Sequence, residues 1–322
     1  MPVIELPQGY VARPPRVESD AAEAADVINE WSRAIVGAPS TTVDEVQGWW
    51  GRPGWDVERE VILVEDPDGR LCCYLDFDPS DKGTELFFDG YVRPGYEGRG
   101  LGTLLVRFAE ERAHAMATEM KPSELQLTAW APEPAQPARV LFEGNGFAIV
   151  RRYFRMLIDV KDRTFDAKVP QGIDIRSFRI GHDERGMFES HEEAFQDAWN
   201  YWPSTFERWT WEVMEERGDF DPKLVLLAWD ADQIAGGSIS RPADAEDPDI
   251  AHVSDLWVRR PWRNRGLGEA LLNLSFNELA ARGKRAVSLG VDSASPTGAT
   301  RLYERVGMHV DRESLVFSKK IV

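Results

Sequence analysis

The chain has 322 residues, of which 43% are hydrophobic and 29% charged, and its formal net charge is −17. That acidity argues against general nucleic-acid binding, which needs a basic face, and no apolar run approaches the ~18 residues that cross a bilayer. Length and composition predict a soluble protein with two domains, placed in the cytoplasm because "MPVIELPQGY" has no basic segment followed by an apolar one.

In chain order, "PQGYVARP" (7–14) reads as an opening strand followed by helices. A hairpin comes next, "VILVED-PDG-RLCCYLDF", with Pro-Asp-Gly as its turn. It holds the only cysteines, Cys72 and Cys73. Neighbours on a strand point to opposite faces, so no disulfide between them is expected, and no metal-ligand spacing is present. "DGYVRPGYEGRGLGTLL" (89–105) then gives a strand, a glycine-rich turn and a helix with Leu101, Leu104, Leu105 and Phe108 at i, i+3, i+4 and i+7. "VLFEGNGF" (140–147) and "RYFRMLIDV" follow, and "KDRTFDAK" (161–168) is polar and aperiodic, which reads as a linker.

The second half repeats this order. "PQGIDIRS" (170–177) answers 7–14, "DLWVRRPWRNRGLGEALL" (255–272) answers 89–105, and "RLYERVGM" (301–308) answers 140–147. Leu267, Ala270, Leu271 and Leu274 repeat the apolar stripe. Three matches in register mean a duplication. The expectation is an α/β chain, each copy an α+β unit on a mixed sheet, with domains at 1–160 and 169–322.

The turn of the second copy carries Arg263, Asn264, Arg265, Gly266, Leu267 and Gly268. The first turn of a helix exposes unpaired N–H groups with partial positive charge. Glycine lets a ligand approach the backbone, and arginines add fork-shaped donors. This suits a pyrophosphate. The spacing is neither G-x-G-x-x-G nor a P-loop. An Arg-Gly loop without a ligand is the alternative.

"VRRPWRNRGLG", then an amphipathic helix, a strand and "ATRLYERVGM", resembles the GNAT superfamily of acyl-CoA-dependent N-acyltransferases, over nearly the whole chain. The two-copy layout is similar to the mycothiol synthase branch. The resemblance implies acetyl-CoA as cosubstrate, no metal, and a small-molecule primary amine as acceptor. It implies that backbone N–H groups around Leu256, Trp257 and Val258 stabilise the oxyanion. It also implies that Ser295 contacts the cosubstrate and that Tyr303 protonates the leaving thiolate. The first copy keeps Gly98, Arg99, Gly100 and Gly102 but has Glu97 for Arg263 and Phe142 for Tyr303. A carboxylate opposes a pyrophosphate and phenylalanine has no proton to give, so chemistry is expected in the second copy, with the first able to hold CoA at most.

His252 and Asp255 on "DIAHVSDLWV" are the candidates for the base, although Asp89 repeats Asp255 in the degenerate copy. The stretch 189–213 gathers Glu193, Trp199, Tyr201 and Trp202, which suits a cationic amine and equally suits packing. A CoA-responsive binding protein without turnover is the rival function. Two domains in one chain are compatible with a monomer.

Overall fold

The computed structural model describes residues 6–79, 84–199, 201–215, 218–244 and 246–322. In chain order they form β1 (Val11–Arg13), α1 (Ala21–Val36), α2 (Val43–Trp50), α3 (Val57–Glu60), β2 (Val61–Glu65), β3 (Leu71–Asp78), β4 (Glu85–Val92), α4 (Leu101–Met120), β5 (Gln126–Pro132), α5 (Gln136–Gly144) and β6 (Ala148–Asp159). The series then repeats as β7 (Ile173–Ser177), α6 (Glu184–Phe195), α7 (Phe206–Thr210), β8 (Val225–Asp230), β9 (Gln233–Arg241), β10 (Ile250–Val258), α8 (Leu267–Ala281), β11 (Ala286–Asp292), α9 (Ala299–Arg305) and β12 (His309–Lys320).

Two compact units result, one running to Arg152 with Ser314–Val322 added, the other Tyr153–Glu313. In the first, the strand order is β1-β2-β3-β4-β5-β12, and in the second it is β7-β8-β9-β10-β11-β6. Ser314–Lys320 of β12 pairs with β5, and Tyr153–Asp159 of β6 pairs with β11. The sequence repeat and the compact units are therefore offset by one strand at each end. The segment read as a linker is packed onto α8. Phe165 is buried with its ring 5.2 Å from that of Phe276, and its backbone is bonded at both N–H and C=O by the Asn277 side chain.

In each unit one strand pair is parallel, β4 with β5 and β10 with β11, joined by a helical crossover as parallel pairs require. The hairpin turn forms as its chemistry demands, with Gly69 at φ +82° and Asp66 N–H bonded to Arg70 O. Cys72 and Cys73 are free and buried. The stripe on α8 buries Leu267, Ala270 and Leu271.

Candidate active site

The site of the second unit begins where β10 and β11 part. They pair from Ile250↔Ala286 to Val253↔Leu289 and no further. On its other edge, β10 stays paired with β9 to Val258↔Gly236, with a bulge between Val253 and Asp255. Gly236 and Gly237 permit this close approach: a Cβ at Gly237 would stand 2.5 Å from the Trp257 ring. Arg259 N–H bonds to Ala235 O on the β9 side. Strand alternation then turns the amide of Trp257 towards β9 and those of Leu256 and Val258 towards the side that β11 has left. That side is a cleft of about 950 Å³, lined among others by Asp255, Leu256, Val258, Gly266, Gly268, Ser295 and Tyr303.

The N-terminus of α8 opens onto this cleft. Gly266 lies at φ +83°, no side chain caps the helix, and nothing stands within 4 Å of where a Gly266 Cβ would be. The amides of the first turn are thus free of intrahelical partners. Gly268 allows α8 to meet α9, since a Cβ there would lie 3.1 Å from Leu302. Asn264 carries a left-handed φ of +60° in the turn. Ser295 lines the opposite side, its hydroxyl 3.0 Å from that of Thr297.

Arg263 lines the cleft, but its guanidinium is engaged. Nε donates to Val258 O at 3.0 Å, Nη2 to Ala194 O at 2.9 Å, and Nη1 to Asp197. Asp197 also accepts from Arg260. These hydrogen bonds to Arg260 and Arg263 hold its carboxyl well below the ordinary range. Arg263 is a clamp between the turn and the C-terminal end of α6. Arg265 is exposed, makes no ion pair among the described residues, and lies outside the cleft lining.

Tyr303 projects from α9 into the cleft, 7% exposed, and its hydroxyl has no hydrogen-bond partner among the described residues. Burial, and then the charge of Asp255, push the phenol up to about 12. Asp255 is held by His191, a residue that the sequence pattern did not single out. His191 Nε2 lies 3.1 Å from Asp255 Oδ1, and Trp209 Nε1 donates to His191 Nδ1 at 3.3 Å. Burial raises the Asp255 carboxyl, but the His191 hydrogen bond, with the charge of Arg241, outweighs it and keeps the group below its usual value. His252 is outside the cleft lining. Its Nδ1 lies 2.8 Å from Ser288 Oγ, and that hydroxyl donates to Asp244.

Of the aromatic and acidic stretch, Trp199 lines the cleft. Glu193 instead pairs with Arg259 at 2.6 Å. The Tyr201 hydroxyl donates to Glu192, Trp202 is exposed, and Trp209 is buried against α6. The adjacent Asn200 lies outside the described residues.

The equivalent turn of the first unit has the same backbone, with Gly98 at φ +74° and Gly100 at φ +80°, and Gly102 packed so that a Cβ would meet Leu141 at 3.0 Å. Its charges are used locally. Glu97 accepts from Gly95 N–H at 2.7 Å, and Arg99 donates to Tyr10 Oη at 2.6 Å and to Gly95 O. Phe142 is buried among Phe88, Phe147 and Phe317, 5.0 Å from the last ring. Asp89, the counterpart of Asp255, faces Asp76 across the β3–β4 pair, and β4 has no bulge.

The model of the acetyltransferase (GNAT) family matches residues 25–136 and 191–308. A mycothiol acetyltransferase of Thermobispora bispora is 31% identical over 263 residues, which cover 80% of this chain and 82% of that protein. One of Thermomonospora curvata is 30% identical over 253 residues, covering 77% and 79%. The crystal structure of a GCN5-related N-acetyltransferase from Sphaerobacter thermophilus is 36% identical with a TM-score of 0.79, covering 98% of this chain and 97% of that one. A tandem GNAT protein from the clavulanic acid biosynthesis pathway shares the fold at 17% identity, with a TM-score of 0.74 over 97% of this chain and 99% of its own. With both glycine-rich turns inside the family matches, and parted strands followed by an open helix N-terminus in the second unit, this chain belongs to the GNAT family of acetyltransferases in its tandem form.

Proposed function

We propose that the second unit moves an acetyl group from acetyl-CoA directly to the primary amine of a small molecule, both bound at once. The observation that carries this reading is that Tyr303 and Asp255 line one cleft together with Leu256 and Val258 of β10 and the first turn of α8. The residues fit the cosubstrate: the first-turn amides of α8 suit a pyrophosphate, and Gly266 leaves room for it. Acetyl-CoA supplies an activated acyl carbon and a thiolate leaving group. In the family scheme the amides of Leu256 and Val258 stabilise the charge that develops on the carbonyl oxygen. Asp255 takes the proton from the amine as nitrogen bonds to the carbonyl carbon, and the C–S bond breaks. Tyr303 gives its proton to the departing sulfur, and both groups are reset through solvent. The apolar surroundings that raise the phenol also raise the proton affinity of a thiolate, so the pair stays matched.

The first unit then serves the fold and the second the chemistry, since Phe142 stands where the second unit has its proton donor. The relatives named mycothiol acetyltransferase make the desacetyl precursor of mycothiol the first acceptor to try. The test is thiol release from acetyl-CoA by the full chain with that precursor and a panel of small primary amines. Tyr303→Phe should lower kcat by about 100- to 10,000-fold with the Kd for acetyl-CoA unchanged. An unaltered kcat removes Tyr303 from the mechanism. Binding of acetyl-CoA with no amine-dependent turnover would favour the non-catalytic CoA-binding protein.

A further inference from the structure

We infer that His191 is a positioning residue: it locks the Asp255 carboxylate in one orientation, so that Oδ2 alone faces the amine. This rests on the reading of Asp255 as the base. The indole N–H of Trp209 can only donate, so His191 Nδ1, 3.3 Å away, must accept. The ring hydrogen is therefore on Nε2, which gives it to Asp255 Oδ1 at 3.1 Å. The ring cannot readily turn away, because it packs 4.4 Å from Phe195 and 5.3 Å from Trp257. The neighbouring residue anchors the same helix, as Ser190 Oγ accepts from Trp257 Nε1 at 3.2 Å. Two successive residues of α6 thus dock on β10, one at the indole of Trp257 and one at the carboxylate two residues before it.

The contrast with the first unit supports this role. Asp89 stands at the same distance before the end of its strand, but its cross-strand neighbour is Asp76, a second acid rather than a donor. Burial and the charge of Asp78 push Asp89 up to about 6, whereas Asp255 lies below the ordinary carboxylate range. The repeated aspartate therefore has different neighbours in the two copies, and the histidine is the hydrogen-bond donor found beside the second one. The charged and titratable groups facing Asp255 are His191 from α6, Arg241 from β9, His252 on its own strand and Tyr303 from α9.

The experiment follows kcat and kcat/KM from pH 3 to 9 in the full chain, a range that reaches down to the lowered Asp255 carboxyl, with acetyl-CoA and whichever primary amine of the panel turns over fastest. His191→Leu removes the donor and leaves the burial of Asp255 opposed only by more remote charge such as that of Arg241. The acid limb of kcat/KM should rise by about one pH unit or more, and kcat at pH 7 should fall at least tenfold with the KM for acetyl-CoA unchanged. His191→Gln keeps an N–H at the same reach, so it should recover most of the rate and return the limb. A folded His191→Leu protein with an unmoved limb overturns the inference. If that variant does not fold, His191→Gln decides: loss of more than nine-tenths of kcat refutes positioning, since the donor is retained. Asp255→Asn with full kcat identifies a different failure, that of the base assignment itself.

Discussion

Arg263→Leu separates two jobs that one arginine at this position can do. The family pattern assigns it to the pyrophosphate, yet its guanidinium donates to Val258 O at 3.0 Å and Ala194 O at 2.9 Å and pairs with Asp197. Leucine retains the apolar stem and deletes the donors. At about 0.5–1.5 kcal/mol for each hydrogen bond, the two carbonyl bonds together contribute about 1–3 kcal/mol. For a unit of this size about 1 kcal/mol corresponds to roughly 2–4 °C in Tm, so the second unit should melt several degrees lower. The Kd for acetyl-CoA should change less than about threefold, because the amides of α8 remain. Thermal denaturation and calorimetric titration of the same preparation measure both quantities. Unchanged stability with a Kd weakened tenfold or more, about 1.4 kcal/mol, would show that the guanidinium leaves its clamp to hold phosphate.

Gly237→Ala places a Cβ 2.5 Å from the Trp257 ring and 2.7 Å from Leu226 O. Such overpacking costs at least about 1–3 kcal/mol, read as a lower urea midpoint, and an unshifted midpoint would mean that β9 and β10 can separate without penalty. In the first unit, burial and the charge of Asp89 push Asp76 up to about 7, and burial and Asp78 push Asp89 up to about 6. Both folded values exceed those of the unfolded chain. The resulting stability is complete below about pH 4 and lost as pH rises through about 7. Asp89→Asn should make the protein more stable than the parent at pH 8, by about 1–2 kcal/mol after allowance for partial exposure, and flatten the decline. A variant less stable at pH 8 than the parent contradicts this.

Much of the architecture was legible before any coordinates. Pro-Asp-Gly specifies its own turn because its φ preferences are local, and glycine at 266 answers a left-handed backbone that the neighbouring residues create. The i, i+3, i+4 stripe on α8 is likewise a property of the residues in a row. The duplication was visible because each copy repeats these local signals. The strand exchange was not: β6 and β12 look like ordinary closing strands, and their partners are chosen by pairing distant in the chain.

The candidate site divides along the same line. The family resemblance implied Tyr303 as the proton donor, while residue identity marked Phe142 as incapable of that task and the glycine turn as a place for a phosphate. Tertiary structure decided what each charged residue is free to do. It committed Arg263 to two carbonyls and Asp197, Glu193 to Arg259, and His252 to Ser288 away from the cleft. It also gave Asp255 a partner 64 residues away, which no spacing rule could have found. Backbone conformation depends on neighbours along the chain, so the sequence by itself determined the repeated fold and the turn. The state and availability of a carboxylate or guanidinium depend on whichever groups lie within a few ångströms, and only the folded chain decides those.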